Sequence, residues 1–492
     1  MRKPLRIFLF LLLTALISKG QTVYFNNVND WGNSTSKFAY SILPVDSGYL
    51  VAGQVINETQ GDWDAGILKT DLLGNTLWKK YYHWASTNIY VGRKSMIPTN
   101  DGNFVICGGK WDTSGTDAYL MKFDNNGDSL WMKTYGGDSS FSFNNVKQTV
   151  DGGFILSGIT DSVSYHPDWL IMKTDSLGNT QWIKVIVPGT DYDDARVVET
   201  THDGGYIIGG IKYIGNEDYG YIVKIDSSGN QQWKLTIGGV YGGQINDIKQ
   251  TSDNNFVVCG QVCDYYNPGW MVSYGQCYIA KISSSGSIQW QKKYGSSGYN
   301  SFLSSIQYVS DGYVFAGNVG DILNSAADGF ILKTDFAGDS IWARIYNRSG
   351  NDNQDMLEDI KSTDDGGFIA GGWFFPLYQK MWMLKLDSFG CDSVDCQSVG
   401  IEESPISRML QPEAYPNPFS LTTTIIYNLP EEIPKAVLEI FDFTGRKIKS
   451  YEVNNKETFL VINAEELEKG ICIATLCIDG AIISQKKLII VK

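Results

Sequence analysis

Residues 203–233, DGGYIIGGIKYIGNEDYGYIVKIDSSGNQQW, decide the fold. Two β-type runs, Gly205–Ile211 and Tyr219–Ile225, precede a third that begins at Gln231. Asp-Gly-Gly and Asp-Ser-Ser-Gly-Asn separate them, and such residues supply the positive φ and local capping of tight turns. The unit returns along most of the chain. A glycine closes the second strand of each copy at Gly53, Gly108, Gly158, Gly210, Gly260, Gly317 and Gly372. A tryptophan follows the next turn at Trp78, Trp131, Trp182, Trp233, Trp290 and Trp342. Between them most copies carry Lys-x-Asp; the fifth has Ser283 at the aspartate position.

Seven copies with steps of 50 to 57 residues and four strands each imply a β-propeller. In the fourth copy the strands, called A to D, read Ala195–Thr200, Gly205–Ile211, Tyr219–Ile225 and Gln231–Ile237. The seventh copy ends at Phe389-Gly390-Cys391 without a tryptophan strand. Counting back from Asp46 places the missing piece at residues 23–26, so the N-terminal stretch is expected to complete the last blade and close the ring. The expected fold class is all-β. A signal peptide over 1–20 precedes a seven-bladed β-propeller over 21–396, a linker over 397–413 and a small Ig-like β-sandwich over 414–492.

Composition supports many short strands: 52 Gly, 13 Pro and 13% aromatics in 492 residues. Arg2, Lys3 and Arg6 precede an apolar run, Ile7–Ile17, and Ser18 and Gly20 suit a cut before Gln21. Removing Arg2, Lys3, Arg6 and Lys19 takes the net charge from −14 to about −18. Such acidity repels phosphate backbones, so no nucleic-acid partner is expected. With only His83, His166 and His202, no multi-histidine metal centre is expected, nor any cofactor. Asp124-Asn-Asn-Gly-Asp128 is too short for an EF-hand and lacks the distal glutamate, so it reads as a turn. The chain is read as a monomer.

Export permits disulfides among the eight cysteines. Cys391 with Cys396, and Cys263 with Cys277, are candidate pairs. Cys107 and Cys259 fill the same position in two copies and read as buried. Cys472 and Cys477 are an odd number apart on one strand and should face opposite sides.

The Gly209-Gly210, Asp226 and Trp233 layout resembles kelch-type propellers, a likeness of architecture over residues 22–396 that transfers no activity. Residues 415–492 resemble the type IX secretion sorting domain of Gram-negative bacteria. Tyr415-Pro416-Asn417-Pro418-Phe419 opens it, Phe441-Asp-Phe-Thr-Gly445-Arg446 and Leu467-Glu-Lys-Gly470 match its turns, and Lys486–Lys492 matches its terminal strand. Cys472 stands where the family usually has an aromatic residue. The resemblance implies passage through the periplasm and across the outer membrane by the type IX machinery. The product would be released or held on surface lipopolysaccharide.

The A–B and C–D turns share one face and are short and uniform, whereas the B–C and D–A connections vary from copy to copy. Function favours variable loops on a rigid scaffold. The candidate ligand-binding residues on that face are Trp63, Trp111, Tyr165, Tyr213, Trp270, Trp373, Asp191 and Asp194. Aromatic rings beside carboxylates suit sugars, though each ring can equally serve as a cap on its blade. Two functions stay open. One is a non-catalytic binding or adhesion module for an extracellular glycan or protein. The other is a secreted glycan-active hydrolase or lyase with a carboxylate pair, Asp191 and Asp194 being the most crowded acids. No nucleophile motif or phosphate loop is visible, so no catalytic residue is assigned.

Overall fold

The computed structural model describes residues 24–28, 37–57, 61–84, 87–112, 115–137, 140–160, 167–186, 192–215, 217–267, 272–295, 299–321, 326–348, 354–375, 379–393, 413–427, 429, 435–442, 447–456, 459–467, 469–478 and 481–491. The expected signal peptide and most of the linker lie outside them. The chain divides into two compact units, Met1–Ser398 and Val399–Lys492.

The first unit is all-β and propeller-like. Seven antiparallel sheets follow in order, with strands A, B, C and D adjacent in each. The A strands are Lys37–Val45, Asn88–Val91 continued by Ile97–Pro98, Phe141–Gln148, Asp194–Thr200, Gly243–Gln250, Tyr299–Val309 and Asp355–Ser362. The seventh sheet takes its D strand from the other end of the chain. Phe25–Val28 pairs with Lys380–Leu386, Phe25 opposite Lys385 and Val28 opposite Trp382. That strand begins two residues later than the sequence count suggests.

Each sheet is apolar on both faces because a neighbour covers each. Leu50 and Ala52 of the first sheet pack with Ile89, Phe104 and Ile106 of the second. Val51 and Leu68 of the first pack with Ile369, Met381 and Met383 of the seventh. The D strands alternate instead, as Thr180–Val185 does, with one face toward solvent.

The repeated residues form a latch between neighbouring sheets. In six of the seven C–D turns an aspartate oxygen accepts two backbone N–H groups, as Asp71 Oδ1 does from Leu73 and Asn75. Ser283 does part of the same work, its hydroxyl accepting from Ser287 N at 3.0 Å. The turn glycine has φ between +75° and +87° from Gly74 to Gly390, where a side chain is strained. The tryptophan of the preceding sheet lies over it. A Cβ on Gly127 would meet the Trp78 ring at 2.7 Å, and one on Gly338 the Trp290 ring at 2.8 Å. At Gly74 the Phe25 ring takes the tryptophan's place, at 3.1 Å. Two and four residues after tryptophan come further ties. Lys80 pairs with Asp128 at 2.8 Å, and the Tyr135 hydroxyl donates to Gly178 O at 2.7 Å.

The lysine of Lys-x-Asp joins the two turns on the uniform face. Lys173 pairs with Asp151 at 2.8 Å and Lys385 with Asp365 at 2.7 Å. Burial pushes the Asp151 and Asp203 carboxyls up. Hydrogen bonds outweigh it, chiefly from Lys173 and Thr149 to Asp151 and from Thr201 and Lys224 to Asp203. Both are held down at about 2.

The expected Cys263–Cys277 bridge is not formed. Cys263 lies opposite Gly275 and Cys277 opposite Gln261, and both are free thiols. Diagonal cross-strand neighbours sit about 7 Å apart at Cβ, beyond the roughly 4 Å a disulfide requires. Cys107, Cys259 and Cys391 are buried; Cys396 lies outside the described residues.

The second unit holds two sheets. Glu413–Tyr415, Thr422–Ile426 and Phe459–Asn463 form one; Lys447–Asn454, Lys435–Asp442, Gly470–Ile478 and Ala481–Ile490 form the other. Ile425 and Ile462 of the first share a core with Leu438, Ile440, Leu476 and Leu488 of the second. Lys447–Asn454, an edge strand, has too many charges to show as a strand in the sequence.

Candidate functional site

The A strands of all seven sheets surround one central channel. In six of them the A–B register slips by one residue at the same height. The extra residue is Tyr40, Asn144, Arg196, Asn246, Ser304 or Glu358. Such a bulge bends the strand and re-aims the side chain. The second sheet has a wider break between Val91 and Ile97, which presents Arg93 and Lys94. Six bulges and one wider break therefore set a side chain from each of the seven sheets around one axis.

In five of the six bulged strands the residue after the bulge ties its sheet to another; in the fourth sheet that residue is Val197. Asp359 Oδ2 accepts from Ile42 N at 3.1 Å, Ser41 Oγ from Met96 N at 3.2 Å and Asp247 Oδ2 from Ile306 N at 2.9 Å. Asn145 and Ser305 do the same to Val198 and Ile360.

A cavity of about 190 Å³ lies where the A strands begin, toward the variable connections. Two ion pairs face it. Arg93 lies 3.3 Å from Glu358, and Arg196 Nε donates to Asp194 Oδ2 at 3.0 Å. Glu358 draws the Arg93 guanidinium further up from its usual range. Arg196 also donates to Asn246 Oδ1 at 2.7 Å, and Asn144 Nδ2 donates to Asp194 Oδ1 at 2.7 Å. Burial pushes the Tyr90 hydroxyl up to about 12, so it stays a neutral donor. Arg93 is the more exposed of the two arginines: its side chain is 53% exposed and lies over the Tyr40 ring.

Aromatic rings lead from this cavity to the rim. Tyr40 stacks on Phe38 at 5.5 Å, and Phe38 meets Trp63 at 5.6 Å and Trp373 at 5.4 Å. Trp373 Nε1 donates to Glu358 Oε1 at 3.2 Å, joining rim to channel. Of the residues expected from sequence, Trp63, Trp373 and Asp194 thus lie in or beside one site. Tyr213 lies near the end of strand B of the fourth sheet, its N–H donating to Asp193 Oδ1 at 2.8 Å. Trp111 is exposed at the outer end of its strand. Tyr165, Trp270 and Asp191 lie outside the described residues.

Lys94 divides the channel. It has φ of +54°, a left-handed conformation unusual for a side-chain-bearing residue. From the second sheet it crosses to the fifth and sixth, donating to Asn246 O at 2.5 Å and to Ser304 O. Beyond it, toward the A–B turns, lies a second cavity of about 270 Å³. Among the described residues no cluster of three or more His, Cys, Asp or Glu is placed to hold a metal ion.

In the second unit, the opening motif and the last strand hold each other. Asn417 Oδ1 accepts from Ile489 N at 2.8 Å, Phe419 N donates to Ile489 O at 3.0 Å, and Val491 N donates to Phe419 O at 2.9 Å. Pro416 and Pro418 flank Asn417, and Gly470 starts the strand that pairs with the last one. Gly445, Arg446 and Lys492 lie outside the described residues.

Residues 413–491 match the secretion system C-terminal sorting domain. This sorting domain supports export by the type IX system, dealings with its machinery, and a secreted or cell-surface destination. No curated protein matches the chain. Among solved structures it is similar to a protein of unknown function from Bacteroides caccae at 9% identity and TM-score 0.36, covering 63% of this chain and 94% of that one. It is similar to the β-propeller domain of the Trilobed protease from Pyrococcus furiosus at 7% identity and TM-score 0.39, covering 71% and 94%. A puromycin hydrolase is similar at 10% identity and TM-score 0.46, covering 80% and 59%.

Apart from Asp194, the channel residues were not among those expected from sequence. Their signal is a polar residue 13 to 15 positions before each strand-B glycine, as with Tyr40 and Gly53, Arg93 and Gly108, or Glu358 and Gly372. Attention to loops passes over it, because the position is mid-strand.

Proposed function

We propose that the first unit is a seven-bladed, kelch-like propeller that acts as a non-catalytic glycan-binding module at the cell surface or in the medium. The cavity where the A strands begin carries this reading. Its two arginines are matched by two carboxylates, and Lys94, the third cation on its wall, is engaged by Asp247 and two backbone carbonyls, so it offers hydrogen-bond donors and acceptors with little excess charge. Trp63, Phe38 and Trp373 give it an aromatic approach. Balanced polar groups beside aromatic faces suit a neutral polyhydroxylated ligand. The domain assignment follows the sequence: a signal peptide over 1–20, the propeller over 21–396, a linker, and an Ig-like sorting domain over 414–492. Its monomeric state and any attachment to lipopolysaccharide belong to the same proposal, as does a Cys391–Cys396 bridge.

The test is retention of the exported protein on immobilised polysaccharides, with released sugars assayed in parallel. The reading expects retention without release. Release of reducing ends would favour the glycan-active enzyme, for which Asp194 and Glu358 are the carboxylates on the cavity wall. No retention on any polysaccharide would overturn the glycan assignment. Separately, removing residues 414–492 should leave the propeller in the periplasm; its appearance in the medium would count against the sorting role.

A further inference from the structure

We propose that the lysine-lined half of the channel is a binding site for a small oxoanion, inorganic phosphate or sulfate. It lies on the far side of Lys94 from the aromatic mouth, so it stands whether or not a glycan binds there.

The argument is one of charge count in a confined space. Lys94, Lys147, Lys249 and Lys361 line the cavity of about 270 Å³, together with Glu199 and Asp247. Asp359, fully buried, pairs with Lys361. Four ammonium groups therefore face three carboxylates. The wiring shows where the surplus falls. Glu199 Oε2 is shared by Lys147 at 3.4 Å and Lys249 at 3.2 Å. Asp247 is shared by Lys249 at 3.5 Å and Lys94 at 3.7 Å. Lys147, at the end of this chain of contacts, has only a share in one carboxylate.

An unmatched positive charge in such a place is costly unless a counter-charge joins it. Burial draws the Lys94 and Lys147 ammoniums down from the usual lysine range, and an anion beside them would restore their charged form. Burial also pushes Asp247 and Glu199 up, but the surrounding lysines outweigh it and hold both carboxylates ionised. The acids are thus committed to lysines already present. Ammonium groups are compact charges with three donors each, suited to a tetrahedral oxoanion held partly through water. The protein as a whole carries −14, which repels anions, so affinity here would have to come from the cavity itself.

The experiment titrates the exported protein with sodium phosphate, sodium sulfate and sodium chloride at matched ionic strength. Thermal midpoints and calorimetric heats are followed together. A saturable midpoint rise with phosphate, sulfate or both, absent with chloride, is expected, and the two oxoanion arms show which one the cavity prefers. Lys147→Met should weaken the oxoanion at least tenfold while Lys147→Arg retains it. Lys133→Met, on the outer strand of the second sheet, should leave binding unchanged. Equal effects of chloride, a shift that survives Lys147→Met, or no saturable heat from phosphate or sulfate on the unaltered protein would each overturn the proposal. The last measurement needs no variant to fold.

Discussion

At the C–D turns the chemistry hardly changes from sheet to sheet: aspartate or serine caps, glycine turns, and a ring from the sheet before lies on the glycine. At the A-strand kinks the backbone bulge repeats in six sheets and widens in the second, yet neighbouring sheets carry different side chains: Tyr40, Arg93, Asn144, Arg196, Asn246, Ser304 and Glu358. Both sets occupy equivalent positions, so geometry alone cannot explain why one varies. Residues that assemble the ring must satisfy the same contact at every seam. Residues that face a ligand meet a different part of it from every side. Repetition thus marks assembly, and the proposed function takes variation on a repeated frame as the mark of recognition.

The largest effect expected from breaking the assembly side is removal of Phe25–Val28. The seventh sheet loses its outer strand and Gly74 loses its covering ring. Destabilisation should exceed the roughly 3–5 kcal/mol of truncating one buried Phe. Denaturant unfolding would measure it, and an unchanged transition would mean the ring does not depend on that strand.

A matched pair of glycines sharpens the point. Gly338 and Gly366 have φ of +82° and +81°, but a Cβ on Gly338 would strike the Trp290 ring whereas nothing lies within 4 Å of one on Gly366. Gly366→Ala should cost about 1–2 kcal/mol for the backbone alone. Gly338→Ala should cost more, by the added clash. Equal losses would remove the tryptophan from the latch.

Acid should loosen the uniform face. Asp151 and Asp203 are held at about 2, below their unfolded value near 3.9. The stability they contribute is complete above about pH 4 and lost as pH falls toward 2. Thermal midpoints across that window should fall, and Lys173→Met should flatten part of the fall. The smallest effect belongs to Tyr135→Phe, which removes one bond to Gly178 O and should cost about 1 kcal/mol.

Much of the ring was legible because its signals are local. Asp226, Gly229 and Trp233 recur at fixed spacing, since one turn geometry and one inter-sheet contact recur. The N-terminal closing strand was found by subtraction and lies two residues from the count. The channel was not legible for the opposite reason. A bulge depends on pairing with strand B, and Arg93 and Glu358, far apart in sequence, become neighbours only when the ring curves. Trp63 and Trp373 could be named from their place in the variable connections, but not that Phe38 would join them. The Cys263–Cys277 expectation failed on register, which spacing in the sequence does not reveal.

The most direct test sets Arg93→Lys against Gly338→Ala and measures, for each, the dissociation constant for a retained polysaccharide and the thermal midpoint. Arg93→Lys keeps the charge beside Glu358 but loses the planar fork of donors. The account predicts at least tenfold weaker binding, about 1.4 kcal/mol, with an unchanged midpoint for Arg93→Lys. For Gly338→Ala it predicts a lowered midpoint and unchanged binding below it. The reverse pattern, binding lost at the outer turn and kept at the channel, would contradict it.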